Sequence, residues 1–287
     1  MKPTRLTQMS AIAASATLCI GATHAAVVWQ GADLADYYTG SNWVGGSAPT
    51  NGSTEDIVIN NGTRADYEPG GIGDIVSNGT FTVSGTNSGW VTDNTNWSRF
   101  NGTTHVLNGG FIDRNAGGNL VFGSDNVGSG AGQTITLNVH GGSIETGGEL
   151  WFGWTNAGTH NITVNISDGG SITSLGGGGA SIFSWDAATF NFTGAGTVTA
   201  ASQGVKVGAN SAAGLTAGIW ENQWAAGTLQ FNGQSGLNGA TFSDYFSTTG
   251  TNGSSTYTLT AVPEPSSAAL LACGGLALTL RRRKQKS

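Results

Sequence analysis

The chain has 287 residues, a formal charge of −6, only 10% charged residues and 48 glycines. Nine Trp and 11 Phe are far too many for a chain that stays disordered, which is aromatic-poor and strongly charged. Between residues 26 and 260 the charge is −12, from four basic residues (Arg64, Arg99, Arg114 and Lys206) against sixteen acids, so that stretch repels phosphate backbones and nucleic acid is not an expected partner.

Residues 1–25 carry Lys2 and Arg5, then an apolar stretch from Met9 to Ile20, then Thr23-His24-Ala25. A charged start, an apolar core and small residues before a cut make a secretory signal peptide, with cleavage by signal peptidase after Ala25. An uncleaved anchor is the alternative. Cys19 is preceded by Leu18, whereas a lipidated Cys follows small residues. Cys19 and Cys273 both lie in terminal segments. The stretch between them therefore has no disulfide, no thiol nucleophile and no cysteine zinc site.

From Val27 to Asn60 the chain shows Trp29, Asn42-Trp43, Gly45-Gly46, Pro49 and the apolar run Asp56-Ile-Val-Ile-Asn60. This resembles the opening of bacterial surface proteins with autotransporter-like β-repeats. Aromatic residues there would cover the open end of a first coil. The competing reading is ordinary buried Trp in a β-domain.

The centre contains a repeat: Leu107-Asn-Gly-Gly-Phe-Ile-Asp113, Val139-His-Gly-Gly-Ser-Ile-Glu145 and Ser167-Asp-Gly-Gly-Ser-Ile-Thr173, with a weaker copy at Phe192–Thr199. Each copy precedes a second apolar strand, such as Leu120-Val-Phe and Leu150-Trp-Phe. Two are preceded by alternating strands, Thr134–Val139 and Asn161–Ile166. Alternation sends Ile135, Leu137 and Val139 to one face and Thr134, Thr136 and Asn138 to the other. One coil is thus about three short strands with glycine corners. Stacking coils would line up Ile112, Ile144, Ile172 and Val198 as an inward ladder. The expected fold is all-β, a right-handed parallel β-helix or solenoid spanning residues 26–210; a β-sandwich is the alternative.

Residues 211–260 are expected to close the coil. Leu215, Ile219, Trp220 and Trp224 have helical spacing. Thr228–Asn232, Thr241-Phe242 and Thr256–Thr260 suggest closing strands, and Ser247–Ser255 a mobile linker.

Residues 261–287 have three parts. Val262-Pro263-Glu264-Pro265 comes first, then an apolar run from Ala268 to Leu280, then Arg281, Arg282, Arg283, Lys284 and Lys286. The run is short for a membrane-crossing helix, but basic residues hold their end in the cytoplasm and snorkel. This three-part order resembles the PEP-CTERM sorting signal of Gram-negative bacteria. The resemblance implies recognition by an exosortase, with cleavage near the Pro-Glu-Pro motif, transient anchoring in the inner membrane, and delivery to the envelope or beyond it, among extracellular polysaccharide. A simple tail anchor is the alternative.

No catalytic residue stands out, and no cofactor or metal is expected. Asp113 and Glu145 occupy equivalent repeat positions, with Asp168 and Asp186 as further acids, yet Thr173 breaks the series. His105, His140 and His160 have no ligand spacing. Trp151, Trp154 and Trp185 are candidates for a stripe that stacks on sugar rings, or else for packing. The leading expectation is an exported surface or matrix protein without enzymatic activity. The runner-up binds or cleaves polysaccharide on a β-helix.

Overall fold

The computed structural model describes residues 26–68, 74–124, 132–154, 160–185, 188–208 and 215–262. These residues are mostly strand, arranged in three long sheets. From Ile57–Ile59 to Val205–Gly208, consecutive strands do not pair with one another. Each passes to the next sheet, and every third strand returns to lie parallel beside its predecessor. Thr134–His140, Ser143–Thr146 and Leu150–Trp154 form one such turn, followed by Asn161–Ser167, Gly170–Ser174 and Ile182–Ser184. Pairing is parallel from the first turn until the C-terminal strands, unlike that of an antiparallel sandwich.

Period-2 patterning produces the strands. In Thr134–His140 every second residue is buried, namely Ile135, Leu137 and Val139. The ladder expected from the repeat is present: Ile112, Ile144, Ile172 and Val198 are register partners in four successive turns, all at most 1% exposed. Burying each such side chain contributes about 1.5–3 kcal/mol. The third sheet stacks Phe100, Phe122 and Phe152 with ring centroids 5.4 and 5.9 Å apart.

At the corner between the first and second sheets the repeat alignment needs a one-residue correction. Leu107, His140 and Ser167 are register partners, so Val139 belongs one position earlier. The copy at His140-Gly141-Gly142 is one residue shorter. The other two insert Asn108 and Asp168, whose φ angles of 53° and 51° lie in the left-handed region that Asn and Asp tolerate.

Both ends are covered. At the start, Trp29 and Trp43 meet edge to face at 5.1 Å, and Trp43 packs on Tyr37. The Trp43 indole N–H donates to the Tyr37 carbonyl at 2.6 Å. The edge of the third sheet is closed by the loop before it, where the Gly52 N–H donates to the Ile75 carbonyl and the Asn78 N–H to the Ser53 carbonyl.

The C-terminal end departs from the sequence reading in three places. Leu215–Ala217 is an antiparallel strand, and the helix is confined to Trp220–Ala226. Its buried face is Trp220, Gln223 and Trp224, while Ile219 is its exposed N-cap. Phe242–Tyr245 is a single helical turn, not a strand. The expected mobile linker instead contains the strand Phe246–Thr249, a hairpin partner of Tyr257–Ala261. Asn252, in the turn between them, accepts from the Val205 N–H at 2.6 Å and donates to its carbonyl at 3.0 Å. Small polar residues read as a linker, but hydrogen bonds to the last coil hold this hairpin in place.

Candidate functional site

The middle strands of the third sheet, from Ser98–Phe100 to Ile182–Ser184, are buried on both faces. Phe152 points inward and is fully buried, so its neighbour Trp151 points outward, as strand alternation requires. The outer face gathers the three tryptophans singled out in the sequence. Trp151 lies 5.8 Å from Trp154 and 5.5 Å from Trp185, centroid to centroid. Three further residues join them and were not legible in sequence: Trp97, Phe183 and Arg99. Trp97 sits two turns before Trp151, yet their rings are 4.8 Å apart, and both belong to one apolar cluster with Val121 of the turn between. Arg99 lies over the rings of Trp97 and Trp154 at 5.3 and 5.8 Å. Such stacking is worth about 0.5–2 kcal/mol.

Trp151 and Trp185 are each only 8% exposed. The Trp151 indole N–H donates to Glu149, whose other oxygen accepts from the Gly178 and Gly179 N–H groups at 2.8 and 3.1 Å. These two rings are therefore packed, and the surface left to a sugar ring is on the half-buried Trp97 and Trp154.

The acids distribute differently. Asp113 and Glu145 are register partners on the outer face of the second sheet. Burial and the nearby Glu145 raise the Asp113 carboxyl above the usual range, with Arg64 opposing. Asp168 does not join them. It meets His140 Nε2 at 2.9 Å, while His140 Nδ1 lies 2.8 Å from the Ser167 hydroxyl. This Ser–His–Asp chain is open to solvent, with His140 and Asp168 side chains 47% and 64% exposed. The adjacent N–H groups of Gly141 and Gly169 already donate to the carbonyls of Ser167 and Ala195. These two donors are therefore not free to stabilise an oxyanion.

A second acidic group comprises Asp66, Glu68 and Asp93. Burial raises Asp66 and Glu68, and Asp93 raises both further, bonding to Glu68 directly. Among the described residues no group of three or more His, Cys, Asp or Glu is placed to hold a metal ion. A cavity of about 310 Å³, lined by Gly117, Asn119, Gly147 and Glu149, opens at the glycine corners between the second and third sheets.

Arg114 is fully buried, and among the described residues its partners are carbonyls, not carboxylates. Its guanidinium donates to the carbonyls of Asn94, Asn96 and Ala116, tying two successive corners together. Burial lowers its pKa to about 10.

Of the expected sorting motif only Val262 lies among the described residues. It is 41% exposed, and its N–H donates to the Tyr245 carbonyl at 2.8 Å. Pro263, Glu264, Pro265, the basic run Arg281–Lys284, residues 1–25 and Asp186 lie outside the described residues. No described helix is long and apolar enough to cross a membrane.

Comparison with known proteins yields no match among family models, curated proteins or solved structures.

Proposed function

We propose that this chain is an exported, non-enzymatic protein of the cell surface or extracellular matrix, built as a right-handed parallel β-helix. The hand is the one that parallel crossovers almost always adopt. Signal peptidase would release residue 26 onward. The tail from Val262 to Ser287 would be read as a PEP-CTERM signal by an exosortase while its apolar helix holds the chain in the inner membrane.

One observation carries the reading. A coil covered at both ends occupies the residues between the two expected addresses, with Val262 leaving it at the surface. A self-contained unit with a surface-exposed exit is suited to passage and display. At the corner where Ser167, His140 and Asp168 meet, the Gly141 and Gly169 N–H groups are already bonded to backbone carbonyls and are not free to hold a reaction intermediate.

Fractionation of cells making the wild-type chain and Glu264→Ala tests this, combined with N-terminal sequencing. The expected wild-type product begins at Ala26 and is found in the envelope or medium, with Glu264→Ala retained in the inner membrane. Wild type in the cytosol with residues 1–25 intact would end the proposal.

Polysaccharide binding is the second reading. The half-exposed Trp97 and Trp154, beside Arg99, favour it.

A further inference from the structure

The outward face of the first sheet is a regular array. In the strands Thr80–Ser84, Thr103–Leu107, Thr134–His140, Asn161–Ser167 and Thr189–Phe192, one row is entirely threonine. Thr80, Thr103, Thr136, Thr163 and Thr189 are register partners across five consecutive turns. Two residues along, Thr82, His105, Asn138, Asn165 and Asn191 form the next row.

The second row is hydrogen-bonded along its length. The Asn191 amide N–H donates to the Asn165 carbonyl oxygen at 3.2 Å, Asn165 to Asn138 at 2.9 Å, and Asn138 to His105 Nδ1 at 3.2 Å. A side-chain amide has two N–H donors and two lone pairs on oxygen. At Asn138 and Asn165 the ladder uses one of each, which leaves one donor and one acceptor per turn. These groups are already fixed in place, so a ligand would not have to order them.

Charge narrows the ligand. No Asp, Glu, Lys or Arg occupies an outward position on these five strands, although residues 26–260 carry a net −12. The array is a neutral strip on an acidic body. Anionic polymers are repelled by the surroundings and cationic ones are drawn elsewhere. A neutral chain of hydroxyl groups matches both the charge and the hydrogen-bonding capacity. Strand spacing of about 4.8 Å makes the strip about 19 Å long, and two turns span about 9.6 Å, close to one disaccharide of an extended polysaccharide.

We propose that this strip is a binding track for a neutral, extended polysaccharide lying along the stacking axis. It rests on the reading of the protein as exported among polysaccharides, and it relocates sugar recognition from the tryptophan patch to the opposite chemistry, hydroxyl and amide.

The test is affinity electrophoresis of the full chain in hydroxyethylcellulose, with alginate as the anionic probe. The variants are Thr136→Val/Thr163→Val/Thr189→Val, which keeps shape and strand preference, and Thr163→Arg, which places one bulky side chain mid-track. Trp154→Ala reports on the aromatic patch. The wild-type chain is expected to be retarded by hydroxyethylcellulose and not by alginate. The triple variant is expected to bind about ten-fold more weakly, the loss of one to two net hydrogen bonds, with its melting temperature kept. Thr163→Arg should match it, and Trp154→Ala should bind as wild type.

Wild-type binding by both track variants overturns the proposal. So does retardation by alginate alone or by neither polymer, and so does a loss confined to Trp154→Ala. A concentration-dependent dimer abolished by the triple variant would make the occupant a second copy. An exported chain that fails to bind sinks the track alone; a cytosolic chain that binds sinks the export reading alone.

Discussion

Asp113 sits half-buried beside Glu145, one turn away on the same sheet face. Its pKa is raised in the folded chain, as are those of Asp66 and Glu68, and burial is the first cause in each case. A raised carboxyl binds its proton more tightly when folded than when unfolded. Stability from that proton is complete below the unfolded pKa, near 3.9 for Asp, and is lost as pH rises through the folded value. Asp113→Asn removes the charge that is poorly housed at neutral pH. The expected outcome is a small gain at pH 7, under about 1 kcal/mol because the site is partly solvated, that vanishes at pH 3. Urea unfolding at the two pH values measures it, and an unchanged or larger gain at pH 3 contradicts the assignment.

At the scale of elements, the strands are interchangeable and the corners are not. Gly148 and Gly118 occupy stacked corners, where a Cβ on Gly148 would lie 1.9 Å from the Gly118 carbonyl oxygen. No side-chain rotation relieves a collision with backbone. At Gly169 a Cβ would meet nothing within 4 Å, and the only cost is a φ of 81°. Gly148→Ala is therefore expected to cost about 3 kcal/mol and Gly169→Ala about 1–2 kcal/mol, the strain of a left-handed residue. Denaturant titration of both variants decides the order; equal losses would mean that the corners are not stacked this tightly.

Across the whole molecule, ring contacts run from one cap to the other. Trp29, Trp43, Tyr37, Tyr67, Trp90 and Phe100 follow in steps of 4.9–5.5 Å. Phe122 and Phe152 of the third sheet, then Phe190 of the first, continue them to Trp220 of the closing helix. In a stacked coil each turn is stabilised by its neighbours, so the ends need something else to cover them. Trp43→Ala should remove about 3–5 kcal/mol and uncover the first strand edge. Thermal melting and light scattering check this: a lower melting temperature and faster aggregation are expected, while an unchanged melt would remove Trp43 from the cap.

Much of this molecule was legible before its coordinates. Isoleucine recurring at Ile112, Ile144 and Ile172 announces a stacked coil, because identical neighbours are what parallel turns bring together. Alternation in Thr134–Val139 assigns inside and outside, because successive strand residues face opposite ways. Trp97 beside Trp151 was not legible, since Trp97 precedes its strand and its side chain reaches across a turn to a ring that is not its register partner. Nor was Ser167 beside His140, which required the one-residue difference between corners. The hairpin at Phe246–Ala261 was hidden by composition: Ser, Thr and Gly suit a linker equally well, and only the bonds of Asn252 to Val205 make it part of the fold. Local pattern determined the strands and their faces; which side chains meet across turns was decided by register, and register is a property of the assembled coil.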